Sequence, residues 1–232
     1  RSEAARRVRE GRGEANGRIV FDPEHPTRAD ADRVRVDGRE LVAGARVCVM
    51  LNKPRGLVTS TSDERGRQTV YQCFGGADLG WLAPVGRLDR ASEGLLLFTN
   101  DPLWAAGITD PDRGPCKTYH VQVNAQVDGK LLDRLRLGVE DDGEMLAARE
   151  VGLLRQGVRN SWLEVVLDEG RNRHIRRMLA AHGLDVLRLV RVAIGGLARG
   201  DLAKESWRHL DDADRQSLAA PSARAPDAGR EW

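Results

Sequence analysis

The chain has 232 residues, 41% hydrophobic and 31% charged, enough for one domain of ordinary size plus a small one or a tail; only 4% are aromatic, so aliphatic side chains must build the core. No run of about 18 apolar residues occurs, and Arg1 to Arg7 has no apolar h-region, so neither a transmembrane helix nor a signal peptide is expected. Net charge is +2, and three widely spaced cysteines (Cys48, Cys73, Cys116) with no CxxC pair argue against a disulfide framework or a cysteine zinc site and for a reducing cytoplasm.

In chain order, residues 2–10 read as a short helix with Ala5 and Val8 inward, and Asn16-Gly17 and Asp37-Gly38 are tight-turn signals beside short apolar runs. This polar segment has a thin core and is marginal alone. The texture changes at Arg46. Val47 to Leu51 and Leu95 to Phe98 are continuous apolar runs, expected as buried strands, with Asn52-Lys53-Pro54-Arg55-Gly56 breaking the first. Residues 60–68 read as a polar loop. Thr118 to Val123 alternates, with Tyr119, Val121 and Val123 on one face. Trp162 to Leu167 and Leu187 to Ile194 read as further strands. Between them Ile175, Met178, Leu179 and His182 share one helix face, and Gly183 suits the position after its C-cap. Ala219 to Trp232, rich in Ala, Pro, Ser and Arg, reads as disordered. Strands dominate, helices are irregularly interspersed and no βαβ repeat appears, so the expected class is α+β. The expected division is a small segment 1–45, a main domain 46–215 and a tail 216–232.

Charge is unevenly placed. Four of the 37 basic residues are lysine (Lys53, Lys117, Lys130, Lys204), leaving 33 arginines. A GC-rich genome explains that total but not its clustering. Residues 171–191 hold six arginines against one acid, Asp185, and residues 1–18 hold six against three glutamates. Arginine's planar fork suits phosphate, so two basic patches on a nearly neutral chain suggest a localised polyanion-binding face.

Taken singly, the chemically interesting residues have plain explanations. A loop Asp such as Asp89 usually hydrogen-bonds backbone. Tyr119 and Ile175 fit as core, and Arg176 as a solvated helix residue. No HExxH, no metal-spaced histidines and no glycine-rich phosphate loop are present, so neither a metal nor a nucleotide cofactor is expected. Together, however, five stretches in order, residues 51–56, 84–101, 117–121, 169–178 and 186–195, resemble the pseudouridine synthases of the RsuA/RluB/RluE/RluF branch. Leu51-Asn52-Lys53-Pro54-Arg55-Gly56 resembles the opening LNKP-x-G element. Pro84 to Asp101, containing Gly86-Arg87-Leu88-Asp89, resembles motif II. Lys117-Thr118-Tyr119-His120-Val121 resembles the K-x-Y-x-V strand. Glu169 to Met178 resembles EGRNRQIRRM, with His174 where Gln is usual. Val186 to Gly195 resembles the closing L-x-R-x-x-I-G strand, and Gly196 follows where Pro is common. The likeness spans about residues 46–210. Residues 11–17, Gly-Arg-Gly-Glu-Ala-Asn-Gly, resemble the end of the α-L RNA-binding domain named after ribosomal protein S four, here truncated, with its first helix absent and Gly13 and Ala15 where Val is usual.

The resemblance implies a mostly antiparallel mixed sheet with flanking helices and a catalytic set of Asp89, Tyr119 and Arg176. Pseudouridine formation breaks the bond from ribose C1′ to uracil N1 and rejoins C1′ to C5, with no net redox or hydrolysis and hence no cofactor. Asp89 would attack C1′ or remove the 2′ proton to give a glycal; both courses stay open, and both need it ionised. Arg176 would oppose any rise in its pKa. Tyr119 would stack on the base and help take the C5 proton, over an apolar floor at Ile175. Arg87 would fill the space left by the flipped uridine or hold the flipped nucleotide, whose unstacking costs a few kcal/mol. Lys117 is expected to touch substrate, and Arg171, Arg173, Arg177 and Arg191 to hold phosphates. The implied partner is ribosomal RNA, with a lean to the large subunit; a cytoplasmic monomer is expected. The rivals are a non-catalytic ribosome assembly factor on the same fold and a generic basic RNA chaperone.

Overall fold

A computed structural model describes residues 2–28, 31–41, 45–61 and 66–219. It divides into two compact units, Arg1–Arg46 and Val47–Trp232, one residue from the expected boundary.

In the small unit, helix α1 (Ser2–Arg9) precedes β1 (Gly13–Ala15), β2 (Arg18–Val20), β3 (Val34–Val36) and β4 (Arg39–Glu40), which form one sheet in the order β2-β1-β3-β4. Both expected turns close hairpins here, with Asn16 and Asp37 in left-handed backbone. The basic patch is partly neutralised: Arg6 and Arg7 pair with Glu3, Arg6 with Glu10, and Arg12 with Asp37. Arg9 and Arg18 are the members left without an ion pair among the described residues.

The large unit runs β5 (Cys48–Lys53), a 3-10 turn (Val70–Phe74), β6 (Ala83–Val85), β7 (Glu93–Thr99), α2 (Pro102–Thr109), β8 (Lys117–Val123), α3 (Gly129–Leu137), β9 (Val139–Asp141), β10 (Glu144–Leu146), β11 (Glu150–Gln156), β12 (Ser161–Leu167), α4 (His174–Ala181), β13 (Val186–Ile194), β14 (Leu197–Ala198), β15 (Trp207–His209) and α5 (Asp212–Ser217). Nine strands make one sheet in the order β11-β12-β8-β13-β7-β5-β15, with β14 beside β13 and β6 beside β7. Every pairing in it is antiparallel except β13 with β7. This is the α+β, mostly antiparallel mixed sheet expected from the sequence.

The apolar runs lie in strands covered on both sides. On one face Leu51, Leu96, Phe98, Val121 and Leu163 pack with Leu135 of α3 and Met178 and Leu179 of α4. On the other, Met50, Leu95, Leu97 and Ile194 pack with Ile108 of α2, Leu210 and Leu218. Leu218 corrects the expected end of the domain at 215. It is 2% exposed, a burial that stabilises by roughly 2 kcal/mol, and Gly196 N–H donates to the Ser217 carbonyl at 2.8 Å. A tail beginning at 216 would remove this packing; residues 220–232 lie outside the described residues.

Candidate active site

The register around β7 creates the site. β5 occupies one edge of β7; the other is shared, β6 lying opposite Leu97–Thr99 and β13 beside Glu93–Gly94. The Gly86–Ser92 loop therefore leaves β6 and re-enters β7 next to β13. It carries Asp89 and is held from several sides. Thr59 Oγ1 donates to the Leu88 carbonyl at 2.8 Å, and Gly56 N–H to the Arg90 carbonyl at 2.7 Å. Lys53 Nζ donates to the carbonyls of Pro54 (3.0 Å), Asp89 (3.2 Å) and Ser92 (2.8 Å). The sequence stretch 51–56 thus continues its strand through Lys53, rather than breaking at Asn52, and clamps the Asp89 loop.

Lys53 is fully buried. Burial pulls its pKa down to about 8, against the pull of Glu93 and Asp89. Its three N–H groups match three carbonyls only while it is charged. Any activity that depends on this loop is expected to fall as pH rises through about 8, because a neutral amine leaves one carbonyl unserved. Stability moves the other way: between about 8 and the ordinary 10.5 the unfolded chain holds a proton that the folded one has lost, so this group makes stability rise with pH. Rate and unfolding profiles between these limits check both signs, and Lys53→Met should flatten both at a lower rate.

Beside this loop lies a cleft of about 340 Å³, within the usual range for ligand pockets. Asp89 lines it, with Tyr119 from β8, Ile175 and Arg176 from α4, and Lys117 and Arg191 from the adjacent strands β8 and β13. Arg87, Arg171 and Arg173 line it too and are more exposed, Arg171 being paired with Glu169 at 2.9 Å. Arg173 is left-handed (φ 50°, ψ 29°) just before α4, an uncommon backbone for a side chain and one that clusters at functional sites. Tyr119 and Ile175 are buried in the larger core and also reach the cleft.

Arg176 donates to the carbonyls of Ala91 (3.2 Å) and Val186 (3.4 Å), so it braces the Asp89 loop through backbone. Burial and then Arg173 weaken its hold on its proton, and the Asp89 charge opposes them. Its effect on Asp89 is thus through charge and loop position. His174 Nε2 lies 3.1 Å from the Ala147 carbonyl, which fixes the proton there and leaves Nδ1, buried and without a partner, as an acceptor. Among the described residues no three of His, Cys, Asp and Glu stand together as a metal site, and no helix is long and apolar enough to cross a membrane.

Arg177 stands apart. Its guanidinium binds Asp141 and Glu144 on the β9–β10 hairpin, outside the cleft, so it does not fit the expected phosphate role. Successive helix residues point about 100° apart, so Arg176 facing the cleft turns Arg177 to the hairpin. Arg188 is likewise spent on Glu93, at 2.9 and 3.1 Å. Lys53 and Ser92 are cleft-organising residues without a role in the sequence reading. A lysine closing an apolar run before Pro54 is the signal that points to the first.

Residues 47–181 match the RNA pseudouridylate synthase family. The chain is 33% identical over 220 residues to an RNA pseudouridine synthase of Aquifex aeolicus, covering 94% of this chain and 88% of that one. It is 35% identical over 207 residues to the ribosomal large subunit pseudouridine synthase E of Vibrio parahaemolyticus, covering 80% and 84%. A crystal structure of a pseudouridylate synthase matches it with a TM-score of 0.68 at 29% identity, over 94% of this chain and 93% of that one. With the ordered motifs gathered around one cleft and more than half the chain matched, this protein belongs to the RNA pseudouridine synthase family, in its RsuA/RluB/RluE-like branch.

Proposed function

We propose that the protein isomerises a specific uridine of large-subunit ribosomal RNA to pseudouridine, with Asp89 as the carboxylate that acts at the sugar. The observation that carries this is the convergence of Asp89, Tyr119, Ile175 and Arg176, from three separate segments, on one cleft. The large-subunit substrate is taken from the named Vibrio relative. Asp89 meets the positive character that develops at C1′, either by bonding to it or by taking the 2′ proton. Arg176 keeps positive charge near the carboxylate and fixes the loop through Ala91. Tyr119 stacks on the uracil, and Ile175 supports it from below. Arg87 fills the vacated space or holds the flipped nucleotide, and Arg171 and Arg173, at the rim, hold the phosphates flanking it. The small N-terminal unit is an α-L RNA-binding remnant that contributes weakly, since Arg6, Arg7 and Arg12 of its basic patch are already paired. The protein acts in the cytoplasm, as a monomer.

The test is to incubate large-subunit ribosomal RNA labelled with tritium at uridine C5, measure tritium release, and map the new pseudouridine. Release at one position is expected. Stable RNA binding without release would favour the assembly-factor alternative.

A further inference from the structure

Two cations set into the cleft wall, Arg191 and Lys117, have no counter-ion among the described residues. Arg191, directly opposite Tyr119 in the β13–β8 register, is 5% exposed. Its Nε donates to the Leu95 carbonyl at 2.7 Å, and its Nη2 has no partner among the described residues. Lys117, two residues before Tyr119 on β8, is half-buried, and its ammonium has no hydrogen-bond or ion-pair partner among them either. Burial, and then the charge of Arg191, push the Lys117 ammonium below its ordinary pKa, with only weaker opposing pulls from Asp168 and Asp110. Two like charges therefore face one space. An unpaired, unsatisfied guanidinium buried this deeply is costly unless a ligand completes it.

The ligand group that reaches this depth is not a phosphate. The rim already carries the exposed Arg87 and Arg173 and the half-buried Arg171, and the flipped base is the part of a nucleotide that enters beside Tyr119. When the C1′–N1 bond breaks, its electron pair stays with the uracil and spreads over N1, O2 and O4. C1′ is taken by Asp89, or its 2′ proton is. C5 then bonds to C1′, releasing the Asp89 carboxylate (or returning the proton to C2′ in the glycal course), and the C5 proton ends on N1. Negative charge thus lives on the base only between breaking and rejoining. Fixed donors aimed at such transient charge are the most effective kind of catalytic group.

We propose that Arg191 and Lys117 form an oxyanion pocket for the departing uracil ring, taking its O2 and O4 charge during bond cleavage. This rests on the assignment of the chain as a uridine isomerase.

The experiment uses large-subunit ribosomal RNA transcribed with either uridine or 5-fluorouridine, under single-turnover conditions, following loss of the target nucleoside by mass spectrometry. Fluorine withdraws electrons and makes the base a better leaving group, so that RNA should depend less on the pocket. Arg191→Met should slow uridine consumption about 100-fold and 5-fluorouridine consumption roughly tenfold. Lys117→Met should show the same asymmetry more weakly, and Arg191→Lys should recover part of the rate. RNA affinity and its salt dependence should be unchanged. Equal losses on the two RNAs would overturn the proposal, as would a weakened affinity with a flatter salt slope, the mark of phosphate contacts. Thermal unfolding controls for folding; if Arg191→Met does not fold, the half-exposed Lys117→Met carries the same comparison. A wild-type protein that consumes neither target overturns the isomerase assignment and the pocket with it, whereas normal conversion with symmetric losses removes the pocket alone.

Discussion

Asp89→Asn is expected to abolish isomerisation, slowing it roughly a thousandfold or more, while RNA affinity stays within a few-fold of wild type. The amide keeps the shape of the carboxylate but supplies neither an effective nucleophile nor a base. The loop should be undisturbed, because what anchors it is backbone: the Asp89 and Ser92 carbonyls on Lys53, the Leu88 carbonyl on Thr59 and the Ala91 carbonyl on Arg176. None of these bonds uses the Asp89 side chain. The rim arginines proposed to hold phosphate are likewise untouched. Tritium release from C5-labelled RNA measures the rate, and filter binding measures affinity. Turnover near the wild-type rate would remove Asp89 from the chemistry. A parallel loss of affinity would show instead that the substitution had disturbed the loop.

The strands that a reader finds in the sequence are those with unbroken or alternating apolar residues. Leu95–Phe98 and Tyr119, Val121 and Val123 were legible because burial on one or both faces leaves a period in the chain. The face formed by Ile175, Met178 and Leu179 was legible for the same reason. Helix α2 left a weaker trace, announced by the Asp101 N-cap before Pro102 rather than by a clear apolar stripe, whereas α3 follows its Asp128 cap with Leu131 and Leu135 on the buried face. Arg177 was misread because composition reports charge and not its partners; Asp141 and Glu144, more than thirty residues earlier in the chain, come to it only when the β9–β10 hairpin folds against α4. Lys53 was quoted as part of a motif yet given no task, since only the tertiary fold brings the carbonyl groups of residues 89 and 92 to its ammonium. Leu218 was lost in a polar tail, because one apolar residue carries no period.

Gly94→Ala tests how the fold holds the cleft together. Gly94 lies at φ +100°, and a Cβ there would sit 2.2 Å from the carbonyl oxygen of Arg191 and 2.9 Å from its nitrogen. Those are backbone atoms of a paired strand, so no side chain can swing away to relieve the overlap. The contact is part of the one parallel junction of the large sheet, which consists of two residue pairs, Val190 with Glu93 and Arg191 with Gly94. A methyl group at this point must push β13 from β7. It would thereby displace Arg191 from the cleft, loosen the Glu93–Arg188 ion pair and disturb Ser92, whose carbonyl holds Lys53. The expected cost exceeds about 4 kcal/mol, in the range reserved for strain and overpacking at a special position. Gly56→Ala supplies the comparison. Gly56 has nearly the same φ, +104°, but nothing lies within 4 Å of its added Cβ, so it meets only the conformational penalty of about 1–2 kcal/mol. Urea unfolding of the two variants therefore separates strand contact from backbone strain. Gly94→Ala should be the less stable by several kcal/mol and should lose pseudouridine formation even where it remains folded. Equal stability of the two variants would mean that the sheet can yield at this junction and that Arg191 is not held in place by the approach of β7.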